Sequence, residues 1–263
     1  MTFFQAIILG AIQGVTEFLP VSSSGHLALV QSLFSDFEQP GLLYDTLLHI
    51  ATLFAALIFF RRRIKRLFIA LLGFFFRKYN VVYYQEKHFL AGLIAAVIPT
   101  GIIGYLLKDY AEVLFEKPAV VGYCMIVTSI MLYLADRPVR GGQVNLQRGL
   151  IVGISQGLAV FPGISRSGMT VFAGLKAGIS REDAAEFSFI ISIPAILGAA
   201  LLQIRHINEV IQADLFAYIS GMAVAFVCGL FAIKAMVEAV KKAKLCYFAL
   251  YCLIVGIAAI IWL

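Results

Sequence analysis

Charge is scarce in this chain: Asp, Glu, Lys and Arg make up 14% of its 263 residues, against 61% hydrophobic residues. Soluble domains average about 25% charged and 45–50% apolar, so this composition excludes a water-soluble globular domain. A mean hydropathy of +0.92 places the chain in a bilayer. Cysteine is sparse too. Cys124, Cys228, Cys246 and Cys252 fall in apolar runs without CxxC spacing, which excludes a disulfide framework and a zinc site. Acidic residues number 15 against 21 basic ones, but the excess lies in short loops and no nucleic-acid module is visible. The net charge of +6 therefore reads as loop bias and contact with anionic lipid, with no nucleic-acid partner.

What is present is long hydrophobic runs. Residues 42–60, 89–107, 119–135, 186–203, 213–233 and 245–263 each approach the ~20 residues that cross a bilayer as a helix. The first forty residues do not make a seventh. Glu17, Pro20, three consecutive serines, Gly25 and His26 interrupt them, and such backbone is tolerated at membrane depth only when buried in protein or lining a wet cavity. A basic n-region and a small-residue cleavage site are lacking, so a signal peptide is the poorer reading. Residues 1–41 are read as a re-entrant hairpin, and residues 149–179 as a second one.

The two breaks are copies. Residues 10–26, GAIQGVTEFLPVSSSGH, return as residues 153–169, GISQGLAVFPGISRSGM, with seven of seventeen positions identical at an offset of 143. The shared letters are Gly10/Gly153, Gln13/Gln156, Gly14/Gly157, Phe18/Phe161, Ser22/Ser165, Ser24/Ser167 and Gly25/Gly168. Glycines and hydroxyls in that pattern read as site chemistry rather than packing, since matched breaks in two halves point to a binding site near the midplane.

Basic residues set the orientation. Eight of the 21 lie in 61–88, three in 136–148 and four in 234–244, which places those loops in the cytoplasm. The apolar decamer Leu67–Phe76 between basic clusters is too short to cross and reads as an interfacial helix. The halves then have opposite orientation, and their hairpins meet tip to tip. The expected fold is an all-α polytopic membrane protein, a single domain of about six transmembrane helices plus two re-entrant helical hairpins in inverted-topology repeats. Repeat one covers about 1–107, repeat two about 149–233, and 245–263 is the final span.

The second break offers Arg166, Ser165, Ser167 and Thr170 with Gly163 and Gly168. A guanidinium fork, hydroxyls, exposed backbone N–H groups and a following helix start suit an oxyanion. An arginine at membrane depth is by default functional. The first break adds Glu17 and His26, whose counterparts are Val160 and Met169, so acid-base groups were added to one copy only. Gln13 and Glu17, four apart on one helix face, could hold Mg²⁺ or Ca²⁺ through oxygen ligands. His26 could serve as nucleophile or general base. His49, His88 and His206 lack comparable company, and Asp45 with His49 reads as a buried polar pair or a helix end.

The segments QGVTEFLPVSSSGH (13–26) and PGISRSGMT (162–170), with FSFIISIP (187–194), resemble the bacterial undecaprenyl pyrophosphate phosphatases of the bacitracin-resistance type. That family carries an (E/Q)xxxE motif, a following SSxGH and a PGxSRSxxT motif, so the resemblance spans essentially the whole chain. It implies a multi-pass enzyme of the bacterial cytoplasmic membrane that hydrolyses undecaprenyl diphosphate to the monophosphate, recycling the carrier lipid for peptidoglycan synthesis and conferring bacitracin resistance. Glu17, Ser23, His26 and Arg166 become the catalytic candidates. Ser22, Ser24, Gly25, Gly163, Ser165, Ser167, Gly168 and Thr170 become the substrate-binding ones, and Gln13 and Glu17 the metal ligands. Gln13 stands where many members carry Glu. The nucleophile stays open among His26, Ser23 and water. A polyprenyl-phosphate transporter with the same anion site is the alternative, a homodimer is compatible, and the hairpin of residues 1–41 points the site toward the extracytoplasmic side.

Overall fold

The computed structural model describes residues 1–34, 43–115, 117–137, 141–203 and 215–263. His206, the end of the first hairpin and the first residues of the 42–60 and 213–233 runs lie outside them. Among the described residues there are eleven α-helices and no strand beyond an isolated bridge between Gly142 and Ile179. They are α1 (Phe3–Phe18), α2 (Ser23–Ser32), α3 (Leu43–Phe59), α4 (Arg61–Phe75), α5 (Asn80–Phe115), α6 (Pro118–Ala135), α7 (Leu146–Leu158), α8 (Arg166–Lys176), α9 (Arg181–Gln203), α10 (Leu215–Lys241) and α11 (Leu245–Trp262). This is an all-α polytopic membrane protein. Helices α5, α6, α9, α10 and α11 are long and apolar enough to cross a bilayer, and α3 with α4 makes a sixth candidate as a pair bent by 78°.

That bend differs from the expected interfacial decamer. Helix α4 starts at the basic run itself, and Arg63 and Arg66 turn onto Glu86 of α5 at 2.7 and 2.6 Å, with Arg63 also 2.6 Å from Glu186 of α9. Its apolar Phe68, Leu71, Phe74 and Phe75 stay exposed. The charged turn is thus anchored on protein, and the decamer is the second half of one amphipathic helix.

Helix boundaries follow the repeat. Adding 143 to the first residues of α1 and α2, Phe3 and Ser23, gives Leu146 and Arg166, the first residues of α7 and α8. Local chemistry sets these limits. Thr2 closes α1 with a capping box to Gln5, and Pro20 forces extended backbone on Leu19, which ends the helix. The two hairpins enter from opposite ends. Phe3 at the start of α1 stacks on Phe216 at the start of α10. The α7–α8 hairpin instead joins the end where Arg181 meets Asp136 and Lys241 meets Glu182.

Each hairpin packs on the long helix of the other half: α1 on α10, α7 on α5. Contact is backbone to backbone. A Cβ at Gly10 would strike the Gly221 backbone, one at Gly14 the Ala225 backbone, one at Gly153 the Ala96 backbone and one at Gly157 the Ile103 side chain. The expectation that the repeated glycines serve the site is therefore corrected for Gly10, Gly14 and Gly153, which let helices approach closely, as small residues do in membranes, while Gly157 both packs on α5 and lines the cavity described below. Gly153→Val should lower stability by about 3 kcal/mol, the upper end of overpacking costs. Thermal melting in detergent checks this, beside the neutral control Gly198→Ala, whose Cβ would meet nothing within 4 Å.

Candidate active site

The tips of the hairpins meet. Ser22 and Ser165, equivalent in the repeat, are the N-caps of α2 and α8, their hydroxyls accepting from the N–H of Gly25 at 3.2 Å and of Gly168 at 3.1 Å. Ser22 Oγ also accepts from the Gly163 N–H at 3.1 Å, and Ser167 donates to the Leu19 carbonyl at 3.2 Å, so each tip is tied to the other. Thr128 of α6 clamps the second tip, donating to Gly163 O at 2.9 Å and accepting from Ser165 N–H at 3.0 Å. Backbone of positive φ occurs at both tips, at Gly163 (93°), where glycine adopts it readily, and at Ser22 (70°), where a side chain makes it costly.

The first residues of α2 and α8 are Ser23 and Arg166, one repeat position carrying a hydroxyl in one copy and a guanidinium in the other. Both converge on Glu17, at the last turn of α1, whose side chain is 1% exposed. Arg166 bonds and ion-pairs with Glu17 Oε1. Glu17 Oε2 accepts from Ser23 Oγ at 2.6 Å and from the Gln13 amide at 2.9 Å, and faces His49 Nε2 of α3 at 3.4 Å. A carboxylate so completely buried is sustained by this full set of donors. The positive ends of α2 and α8 point at the same place.

From Glu17, Ser23 and Arg166 a cavity of about 770 Å³ runs between α5 and α9, past Val97, Gly101, Ile191 and Ala195, to Lys108, Asp109 and Glu112 near the end of α5. Ser22, Ser24, Ser165, His49 and Gln156 line its inner end. Other expected site residues lie behind that wall. Gly25, Gly163 and Gly168 shape the tips, Ser167 ties them, and Thr170 is buried in contact with Ser188 of α9 at 2.6 Å. His26 lies on the far side of α2: its Nδ1 is 2.7 Å from the Ser22 carbonyl, its Nε2 is 2.8 Å from the Tyr251 hydroxyl of α11, and the two rings stack at 5.6 Å.

His49, which reads from sequence as a helix-end partner of Asp45, is in the site. Its Nδ1 does meet the Asp45 carbonyl, at 2.7 Å. Its approach to Glu17 joins residues 32 apart on different helices, and no local spacing announces such a contact.

Among the described residues no three His, Cys, Asp or Glu side chains converge as a metal cluster. Gln13 is fully buried behind Glu17, and its Oε1 has no hydrogen-bond partner there. One carboxylate already balanced by Arg166, with serine hydroxyls beside it, suits a hard cation held mainly by substrate phosphates rather than by the protein alone.

A serine hydroxyl on a buried carboxylate, a guanidinium across from it and two helix starts gather at the inner end of a cavity between the long helices of a polytopic membrane protein. The match to known sequences is more particular: residues 6–258 fit the family described as bacitracin resistance protein BacA, and the chain belongs to that family. Relatives named undecaprenyl-diphosphatase include one of Methanosphaera stadtmanae, 42% identical with 99% of this chain and 98% of the relative covered. One of Treponema denticola is 42% identical, covering 100% and 98%. One of Syntrophotalea carbinolica is 40% identical, covering 97% of each.

Proposed function

We propose that the chain hydrolyses undecaprenyl diphosphate to undecaprenyl phosphate and inorganic phosphate, the activity its relatives' name states, in the bacterial cytoplasmic membrane. The observation that carries this is Ser23 Oγ donating to Glu17 at 2.6 Å with Arg166 on the other carboxylate oxygen. An anion carrier needs the donors alone; a hydroxyl held on a buried base is the furniture of covalent catalysis.

The terminal phosphate sits against Arg166 and the starts of α2 and α8, and the isoprenyl chain lies along the apolar walls of α5 and α9. Ser23 Oγ attacks the terminal phosphorus in line as the bridging P–O bond breaks, its electron pair leaving with the lipid monophosphate. Glu17 takes the Ser23 proton and passes it to that leaving oxygen. Water then attacks the phosphoserine, losing a proton to Glu17, which returns it to Ser23 Oγ as phosphate departs. Arg166 stabilises the equatorial oxygens, where charge sits in the transition state. Glu17 and Ser23, with Gln13 acting through its hold on Glu17, would hold Mg²⁺ or Ca²⁺, which supplies charge neutralisation of the diphosphate. Ser22, Ser24 and Ser165 complete the polar lining.

The cavity reaches Lys108 and Glu112, at the end of α5 away from the Arg63–Glu86 cluster. With the basic end in the cytoplasm, the site opens to the extracytoplasmic side. The test is phosphate release from undecaprenyl diphosphate by purified protein in detergent. Chelation should stop release and Mg²⁺ or Ca²⁺ restore it; full activity after exhaustive chelation would remove the cation, and no release under any cation would remove the hydrolase reading.

A further inference from the structure

Ser23 is aimed by a backbone conformation that its neighbour adopts at a cost. Ser22 is one of two non-glycine residues of positive φ among the described residues, and it immediately precedes the attacking hydroxyl. The equivalent residue of the second tip, Ser165, makes the same cap with an ordinary φ of −72°. One difference between the two caps lies on the carbonyl of the capping serine itself, and it is His26. Its ring meets the Ser22 carbonyl, while the counterpart Met169 offers no side-chain donor to Ser165.

Protons on the imidazole are fixed by these partners. A carbonyl only accepts, so Nδ1 carries the hydrogen and donates to Ser22 O, which also accepts the His26 backbone N–H at 3.1 Å. Nε2 is then left with a lone pair, and it accepts the Tyr251 O–H at 2.8 Å. Tyr251 stacks parallel to the ring, 3° between planes, so it holds the ring's orientation, while the Ser22 carbonyl sets the tautomer. Both ring nitrogens are spent, and the ring is outside the wall of the cavity.

We propose that His26 and Tyr251 are positioning residues: Tyr251 holds the His26 ring in place, and His26 holds the strained Ser22 peptide that aims Ser23 Oγ at Glu17. This rests on the hydrolysis proposed above, with Ser23 as nucleophile. The His26 Nδ1–H acts on the Ser22 carbonyl and no step passes through its Nε2. Loosening the Ser22 peptide misplaces Ser23 by a fraction of its reach, and misplacements near 1 Å can cost on the order of 10²-fold in rate.

The experiment compares kcat and KM for undecaprenyl diphosphate across four single variants and one double variant whose folding is monitored by melting temperature. In His26→Asn the amide nitrogen stands about where Nδ1 stood, so it still donates to Ser22 O. It should keep kcat within about threefold of wild type, while His26→Ala and His26→Gln fall on the order of 10²-fold with KM unchanged. Tyr251→Phe keeps the ring contact and loses only the hydroxyl. It should lower kcat by a smaller factor, and adding it to His26→Ala should cost nothing further, because Tyr251 acts through His26. His26→Asn as slow as His26→Ala in a folded protein would overturn the inference, as would a Tyr251→Phe effect that multiplies fully in the double variant. Inactivity of wild type itself would instead overturn the hydrolysis reading and this inference with it.

Discussion

Ser23→Ala should lower phosphate release by at least about 10³-fold, roughly 4 kcal/mol of barrier, while substrate binding stays near that of wild type. The hydroxyl that would form the bond to phosphorus is gone, whereas Arg166, the two helix starts and the apolar walls that hold the lipid remain. Ser23 is only partly buried, and its Oγ makes one strong contact, the 2.6 Å bond to Glu17. Its removal should leave the fold intact and take one donor from Glu17 Oε2, which Gln13 still holds while Arg166 holds Oε1. Steady-state kinetics with a parallel lipid-binding measurement check this. A KM effect with little change in kcat would make Ser23 a binding group and return the attack to water.

Arg166→Ala should cost about 10³- to 10⁵-fold in kcat/KM, the scale of a guanidinium that stabilises phosphoryl transfer. It should also destabilise the protein. Removing Arg166 strands Glu17, whose side chain is 1% exposed, and breaking one side of a buried pair costs about 3–5 kcal/mol. The two losses can be separated. Arg166→Lys keeps a charge near Glu17 and should recover most of the melting temperature, but a single ammonium cannot present the planar fork that phosphate accepts, so activity should stay well below wild type. Full activity in Arg166→Lys would reduce Arg166 to a counter-ion for Glu17.

Much of this was legible in the letters because the repeat is also a repeat of local chemistry. Ser22/Ser165 and Gly25/Gly168 recur because each helix start needs the same cap, so the repeat marked both tips, although these residues read as ligand contacts. Substitutions within the repeat were informative too: Glu17 against Val160 marks a place where one fold element carries two chemistries, and the structure adds Ser23 against Arg166. The same letters misled where one residue type serves two ends. Gly10, Gly14 and Gly153 look like ligand-approach glycines, yet the nearest neighbours of a Cβ there are the backbones of α10 and α5. His26 sits in the motif but turns toward α11, since a side chain four residues beyond a cap can reach back to the cap's own carbonyl. His49 joins Glu17 only through the packing of α1 beside α3, a long-range contact that hydropathy and spacing do not encode.

The most direct measurement is phosphate release by wild type and by Glu17→Gln, each purified and folded, at saturating undecaprenyl diphosphate with Mg²⁺ or Ca²⁺ present. The amide keeps the size of Glu17 but cannot take the proton of Ser23 or balance Arg166. Wild type should release one phosphate per undecaprenyl monophosphate formed, and Glu17→Gln should fall to background. Release by Glu17→Gln at the wild-type rate would contradict the assignment of the chemistry to the place where the two hairpin tips meet.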